Sequence, residues 1–137
     1  MMFNVVALFA LVNAALVSST AIRADAAPAV AHKATGPIAN AISPIANAIV
    51  VFQTCVDENL KNCLIWSATT LPVGCSNTAS SGQANSISSV QTAAGVGCTL
   101  FTSTTCSGQS QFINGTLNAL TVVGFDNKAN SFTCASL

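Results

Sequence analysis

Six cysteines, Cys55, Cys63, Cys75, Cys98, Cys106 and Cys134, all follow an apolar leader, and no other feature of the sequence limits the fold as much. An even cysteine set behind an export signal predicts a disulfide framework made in an oxidising compartment. Three bridges are expected, and the spacing leaves their pairing open. No Cys-x-x-Cys spacing occurs and no histidine lies among the six, so zinc ligation is a poor alternative. Closing a loop of about 15 residues contributes roughly 3 kcal/mol, a large share of a small domain's net stability.

The leader holds an apolar run from Val5 to Val17, then Ser18, Ser19 and Thr20. Small residues place signal cleavage after Ala21, with an alternative end at Ala26. The run is shorter than the roughly 20 residues that span a bilayer, so the mature protein is expected to be extracellular without membrane insertion. With 137 residues there is room for one domain. Residues 22–48 are alanine-rich and repeat Pro37-Ile38-Ala39-Asn40-Ala41-Ile42-Ser43 as Pro44-Ile45-Ala46-Asn47-Ala48-Ile49. This composition predicts a linker or pro-segment, leaving 49–137 as the disulfide-stabilised β domain.

From Ile49 onward, β-branched and aromatic runs alternate with Ser, Thr, Asn and Gly, the texture of short strands and tight turns. Strands are expected at Ile49–Phe52, Cys63–Trp66, Ser86–Thr92, Cys98–Thr102, Ser110–Ile113, Leu120–Val123 and Ser131–Cys134. A helical turn competes at Asp57–Asn62. Two stretches look like diverged copies of one unit: Phe52 is matched to Phe101, Gly74-Cys75-Ser76-Asn77 to Gly124-Phe125-Asp126-Asn127, and Ser88-Ser89-Val90 to Asn130-Ser131-Phe132. That alignment requires an insertion near Ser80–Ala84. It also leaves Ala84-Asn85-Ser86-Ile87 as a rival closing segment.

In the second copy, Phe101, Cys106 and Gly108 occupy the aromatic, bulky and glycine places of a folded hairpin, and Ser131 matches a serine near the unit's end. This pattern resembles the Greek-key motif of βγ-crystallins, including the cysteine-containing versions among small secreted fungal proteins. The resemblance implies an all-β fold in which two Greek-key motifs form a small disulfide-stabilised β-sandwich. In the first copy Asp57 and Asn59 stand where the bulky residue and glycine are looked for. The family's calcium loop is only partly kept: Asp126, Asn127 and Ser131 are the candidate ligands, Asn130 replaces a Ser/Thr, and Lys128 adds a positive charge. Its counterpart from Ala84 to Ser89 lacks the first acidic or amide side chain. Calcium takes six to eight oxygens, carboxylates among them. No cofactor is therefore expected.

With four basic and four acidic residues, the chain offers nothing charged for nucleic acid or an anionic membrane to grip. Proton transfer and nucleophilic attack need side chains that are nearly absent. His32 is the sole histidine and lies in the alanine-rich segment, where a solvated linker residue is expected, tyrosine is absent, and the β domain holds only Asp57, Glu58 and Asp126 as acids. Asp57 and Glu58 are expected in a solvated turn, Lys61 and Lys128 on the surface, and Trp66 in the core. Asn114 heads the one N-glycosylation sequon. The expectation is a secreted, non-enzymatic binding or effector protein for an extracellular protein or carbohydrate. A toxin or antimicrobial protein and a protease inhibitor are the alternatives.

Overall fold

The computed structural model describes residues 26–34, 36, 38 and 47–137, so the leader and most of the proline repeat lie outside it. The described residues form nine strands: β1 (Val30–Lys33), β2 (Ile49–Asp57), β3 (Lys61–Ala68), β4 (Val73–Asn77), β5 (Ser89–Thr92), β6 (Val96–Phe101), β7 (Ser110–Asn114), β8 (Thr116–Leu117) and β9 (Ser131–Ser136). They form two antiparallel sheets, β1-β3-β2-β5-β8 and β4-β9-β6-β7. Each Greek-key unit keeps three strands in one sheet and lends its third to the other: β4 crosses to the second sheet, β8 to the first. The sandwich expected from the sequence is thereby formed, with the two units interlocked.

The aromatic residues set the core. Phe132 of β9 packs against Phe52 and Trp66 across the sandwich, with ring centroids 5.0 Å and 4.8 Å apart. Each fully buried large apolar side chain contributes about 1.5–3 kcal/mol. Trp66 also carries a polar tip, and its indole N–H donates to Thr54 Oγ1 at 2.8 Å. That hydroxyl in turn donates to Gln83 Oε1, while Gln83 Nε2 donates to the Thr54 carbonyl at 3.1 Å. A polar chain thus ties the tryptophan to the loop after β4 without orphaning a buried donor.

All six cysteines are bridged: Cys55–Cys63, Cys75–Cys106 and Cys98–Cys134. Two bridges join residues directly opposite on neighbouring strands, β2 with β3 and β6 with β9. Cys75–Cys106 instead pins β4 to the loop between β6 and β7.

The alanine-rich stretch differs from its expected role as a spacer. Within its described part, β1 pairs with β3, placing His32 opposite Ile65. Ala27 accepts from the Gly74 amide at 2.9 Å, and the Ala29 amide donates to Ser76 Oγ at 2.8 Å. Gly36 and Ile38 reach the outer face of the first sheet, where Gln53 Nε2 donates to the Gly36 carbonyl and the Ile38 amide donates to Gln91 Oε1. Covered on both faces, Val51 to Cys55 are buried without a break. Val30-Ala31-His32-Lys33 holds a single β-branched residue, so only the unpaired edge of β3 makes it a strand. His32 is accordingly a half-buried sheet residue and not a solvated linker histidine.

Two further expectations are corrected. Leu120–Val123 is a short 3₁₀ turn, because Gly124 beyond it takes φ +67° and the Phe125 amide reaches back to the Leu120 carbonyl at 3.0 Å. Only Leu120 of the four is buried. Asp57–Asn62 is a hairpin turn with no helix, and strands β4 and β8 carry too few apolar residues to have announced themselves.

Replacing Cys98 and Cys134 together by alanine, which frees a separation of 36 residues, is expected to cost about 3–4 kcal/mol in urea unfolding, against about 2–3 for the Cys55–Cys63 pair with its separation of 8. A chain shortened to begin at Asn47 is expected to melt several degrees lower, with faster amide exchange confined first to β3.

Candidate functional site

The two folded hairpins are held by the same device. In the second unit the buried Ser131 hydroxyl accepts from the Cys106 amide at 3.0 Å and donates to the Ser103 carbonyl at 2.5 Å. Gly108 takes φ +85°, and an added Cβ would stand 2.6 Å from Thr102 Oγ1. In the first unit the buried Ser89 hydroxyl accepts from the Leu60 amide at 3.0 Å and donates to the Asp57 carbonyl at 2.5 Å. Leu60 and Asn62 take φ +56° and +52°.

This geometry corrects the internal alignment by three positions. Cys55, Leu60 and Asn62 answer Phe101, Cys106 and Gly108; Phe52, Asp57 and Asn59 do not. Phe52 is the neighbouring aromatic residue, but the place itself holds the half-cystine Cys55. Further along, Gly82 to Ser89 matches Gly124 to Ser131 position by position, with Gly82 at φ +79° and Gly124 at +67°. Gly74-Cys75-Ser76-Asn77 lies wholly in β4, no insertion near Ser80–Ala84 is needed, and Ser88-Ser89-Val90 is the closing segment.

The two loops bond to each other across a pseudo-twofold axis. The Asn85 amide donates to the Ala129 carbonyl at 3.3 Å and the Asn127 amide to the Ile87 carbonyl at 3.0 Å. Likewise the Thr78 amide donates to Asn130 and the Leu120 amide to Ser88. The calcium candidates of the sequence lie here, and three of their side-chain atoms are engaged, while Asp126 Oδ1 is buried without a partner. Ser131 serves the hairpin, and Asp126 Oδ2 accepts from Asn127 Nδ2 at 2.7 Å. Lys128 Nζ donates to the Gly124 carbonyl at 2.6 Å. At the place of the missing Ser/Thr, Asn130 presents N–H donors to the surrounding oxygens, which does not fit a cation.

The acids and bases are not gathered. Asp57 accepts from Asn62 Nδ2, and Glu58 accepts from Thr121 Oγ1 at 3.4 Å. Lys61 sits opposite Asp57 at the start of β3. Among the described residues no three His, Cys, Asp or Glu side chains cluster. Asn114 is exposed at the end of β7, before Gly115 at φ +92°.

What the sequence did not announce is a cleft of about 640 Å³ beside β1, β2 and β3, lined among others by Lys33, Gln53, Asn59, Asn62, Leu64 and Gln83. Gln53 is 1% exposed and its Oε1 is buried without a hydrogen-bond partner. Such a group costs free energy unless something occupies it. The one advance signal was a glutamine inside the apolar run of β2.

No protein-family model and no curated protein sequence matches the chain. Solved structures do. A βγ-crystallin domain from work on the evolution of the eye-lens domain fold superposes with a TM-score of 0.58 at 16% identity, over 79% of this chain and 99% of that one. The N-terminal domain of Protein S gives 0.52 at 20% identity, over 64% and 97%. A βγ-crystallin domain from Flavobacterium johnsoniae gives 0.50 at 22% identity, over 63% and 94%. At such identities the likeness establishes the fold.

Ser131→Ala strands the Cys106 amide and the Ser103 carbonyl together. Thermal or denaturant unfolding is expected to show a loss of about 1–3 kcal/mol, with a similar loss for Ser89→Ala.

Proposed function

We propose that this chain, a disulfide-stapled protein with the βγ-crystallin fold, is a secreted, non-enzymatic binding protein whose cleft beside β1–β3 takes a neutral, hydroxyl-bearing ligand, a carbohydrate. The unpartnered, buried Oε1 of Gln53 carries this reading. The oxygen is closed to water while Gln53 Nε2 is held on the Gly36 carbonyl, so a sugar hydroxyl donates to it once that contact is parted. Asn59 and Asn62 add side-chain amides, while Leu60 and Leu64 offer apolar surface to the C–H face of a sugar ring. Lys33 is the one charged residue among those lining the cleft, so recognition by neutral hydrogen bonding is favoured over charge pairing.

Binding without turnover is supported by the same inventory. Glycoside hydrolysis uses two facing carboxyl groups, and the cleft's lining includes none. Three disulfides suit an oxidising compartment and agree with the export signal read from the sequence. A compact module of this kind suits a small secreted effector working at a cell wall.

Calorimetric titration of the oxidised protein with neutral glucan, chitin and mannan oligomers is expected to give saturable binding to at least one. Gln53→Leu keeps the bulk and deletes the amide, and is expected to weaken that binding about tenfold or more. No saturable binding, or an affinity unmoved by the substitution, contradicts the reading.

A further inference from the structure

We infer that the Asn130 carboxamide stands in for a metal cation, so that the paired loops are closed from within and the fold does not depend on calcium. The inference is independent of the proposed ligand. Oxygen atoms from two different segments converge beside Asn130: the Thr102 carbonyl after β6 and the Asn85 side-chain oxygen of the opposite loop. Lone pairs gathered in this way need a positive partner, which is either a cation or N–H hydrogens.

Here the N–H hydrogens are supplied by one nitrogen. Asn130 Nδ2 donates to the Thr102 carbonyl at 2.9 Å and to Asn85 Oδ1 at 2.7 Å. Its own Oδ1 accepts from the Asn85 amide at 3.2 Å. The Asn130 amide donates to the Phe101 carbonyl at 2.8 Å, and its carbonyl accepts from Thr78 at 2.9 Å. Every polar atom of the residue is used, and the residue is 9% exposed.

The pseudo-twofold provides an internal comparison. Ser88 occupies the matching place and makes the matching main-chain bonds, to the Cys55 carbonyl at 2.8 Å and from the Leu120 amide at 2.7 Å. A serine has no NH₂ group with which to bridge two oxygens. The backbone bonds are therefore a property of the fold, while the three-way closure is a property of this asparagine.

Ligand chemistry points the same way. A hard divalent cation takes six to eight oxygens, and a donor group at the centre would repel it. In the same loop Asp126 Oδ2 already accepts from Asn127 Nδ2, and the Lys128 ammonium is bound to the Gly124 carbonyl. An amide N–H and an ammonium group thus serve the loop from within, and Asp126 Oδ1 is the oxygen of that carboxylate left without a partner.

Thermal unfolding of the oxidised full protein is measured in chelator and in millimolar calcium, for the natural sequence, Asn130→Asp and Asn130→Ser. The natural protein is expected to melt at the same temperature in both. Asn130→Asp keeps the shape but turns a donor into a carboxylate facing two oxygens. Its melting temperature in chelator is expected to fall by about 5–15 °C and to recover substantially in calcium. Should the aspartate variant fail to fold, the serine variant is expected to show a smaller loss, again recovered by calcium. A calcium-dependent rise for the natural protein overturns the inference. Undiminished stability of the variants in chelator does so too, and so does a loss that calcium fails to reverse.

Discussion

Two buried serine hydroxyls hold the register of the whole fold. Each must satisfy one amide and one carbonyl inside a hairpin that has bent back on itself, and each lies on the strand that closes its unit. The hairpins take left-handed backbone angles at Leu60, Asn62, Cys106 and Gly108, which cost free energy for every residue but glycine. The serine bonds offset that cost where it arises. Once the hairpins are fixed, β5 and β9 are aligned, the third strand of each unit crosses to the other sheet, and Phe52, Trp66 and Phe132 meet in the middle.

The second unit was legible in the sequence because it keeps the residues that mark the motif: Phe101 at the end of β6 before the hairpin, Gly108 at the positive angle, Ser131 beneath. The first unit satisfies the same geometry with different chemistry. A half-cystine replaces the aromatic ring and an asparagine replaces the glycine, which leaves Phe52 as the misleading aromatic nearby. The edge strand β1 was hidden for another reason. Val30-Ala31-His32-Lys33 has little strand propensity of its own and is ordered by an open sheet edge, a tertiary effect that local composition cannot express. The cleft depends on that strand, since Lys33 and Gly36 help to line it.

The halves have specialised in different directions. The second is locked: Cys106 is bridged to β4, Asn130 closes the loops, and Ser131 pins the hairpin. The first keeps an amide-lined cleft at its hairpin, bordered by the strand the N-terminal segment adds. Sixteen per cent identity to a βγ-crystallin domain is compatible with this, because the fold asks for a handful of backbone solutions and leaves the side chains around them free. A cleft on one half and cross-linked loops on the other are what the two units build on the same backbone frame.

Residue-resolved hydrogen exchange on the oxidised protein tests the serine clamps most directly. The Leu60 and Cys106 amides lie in turns, yet both donate to buried hydroxyls, and they are predicted to exchange as slowly as the core strands β2 and β6. Exchange of these two amides at the rate of an exposed neighbour such as Ser107 would contradict the account.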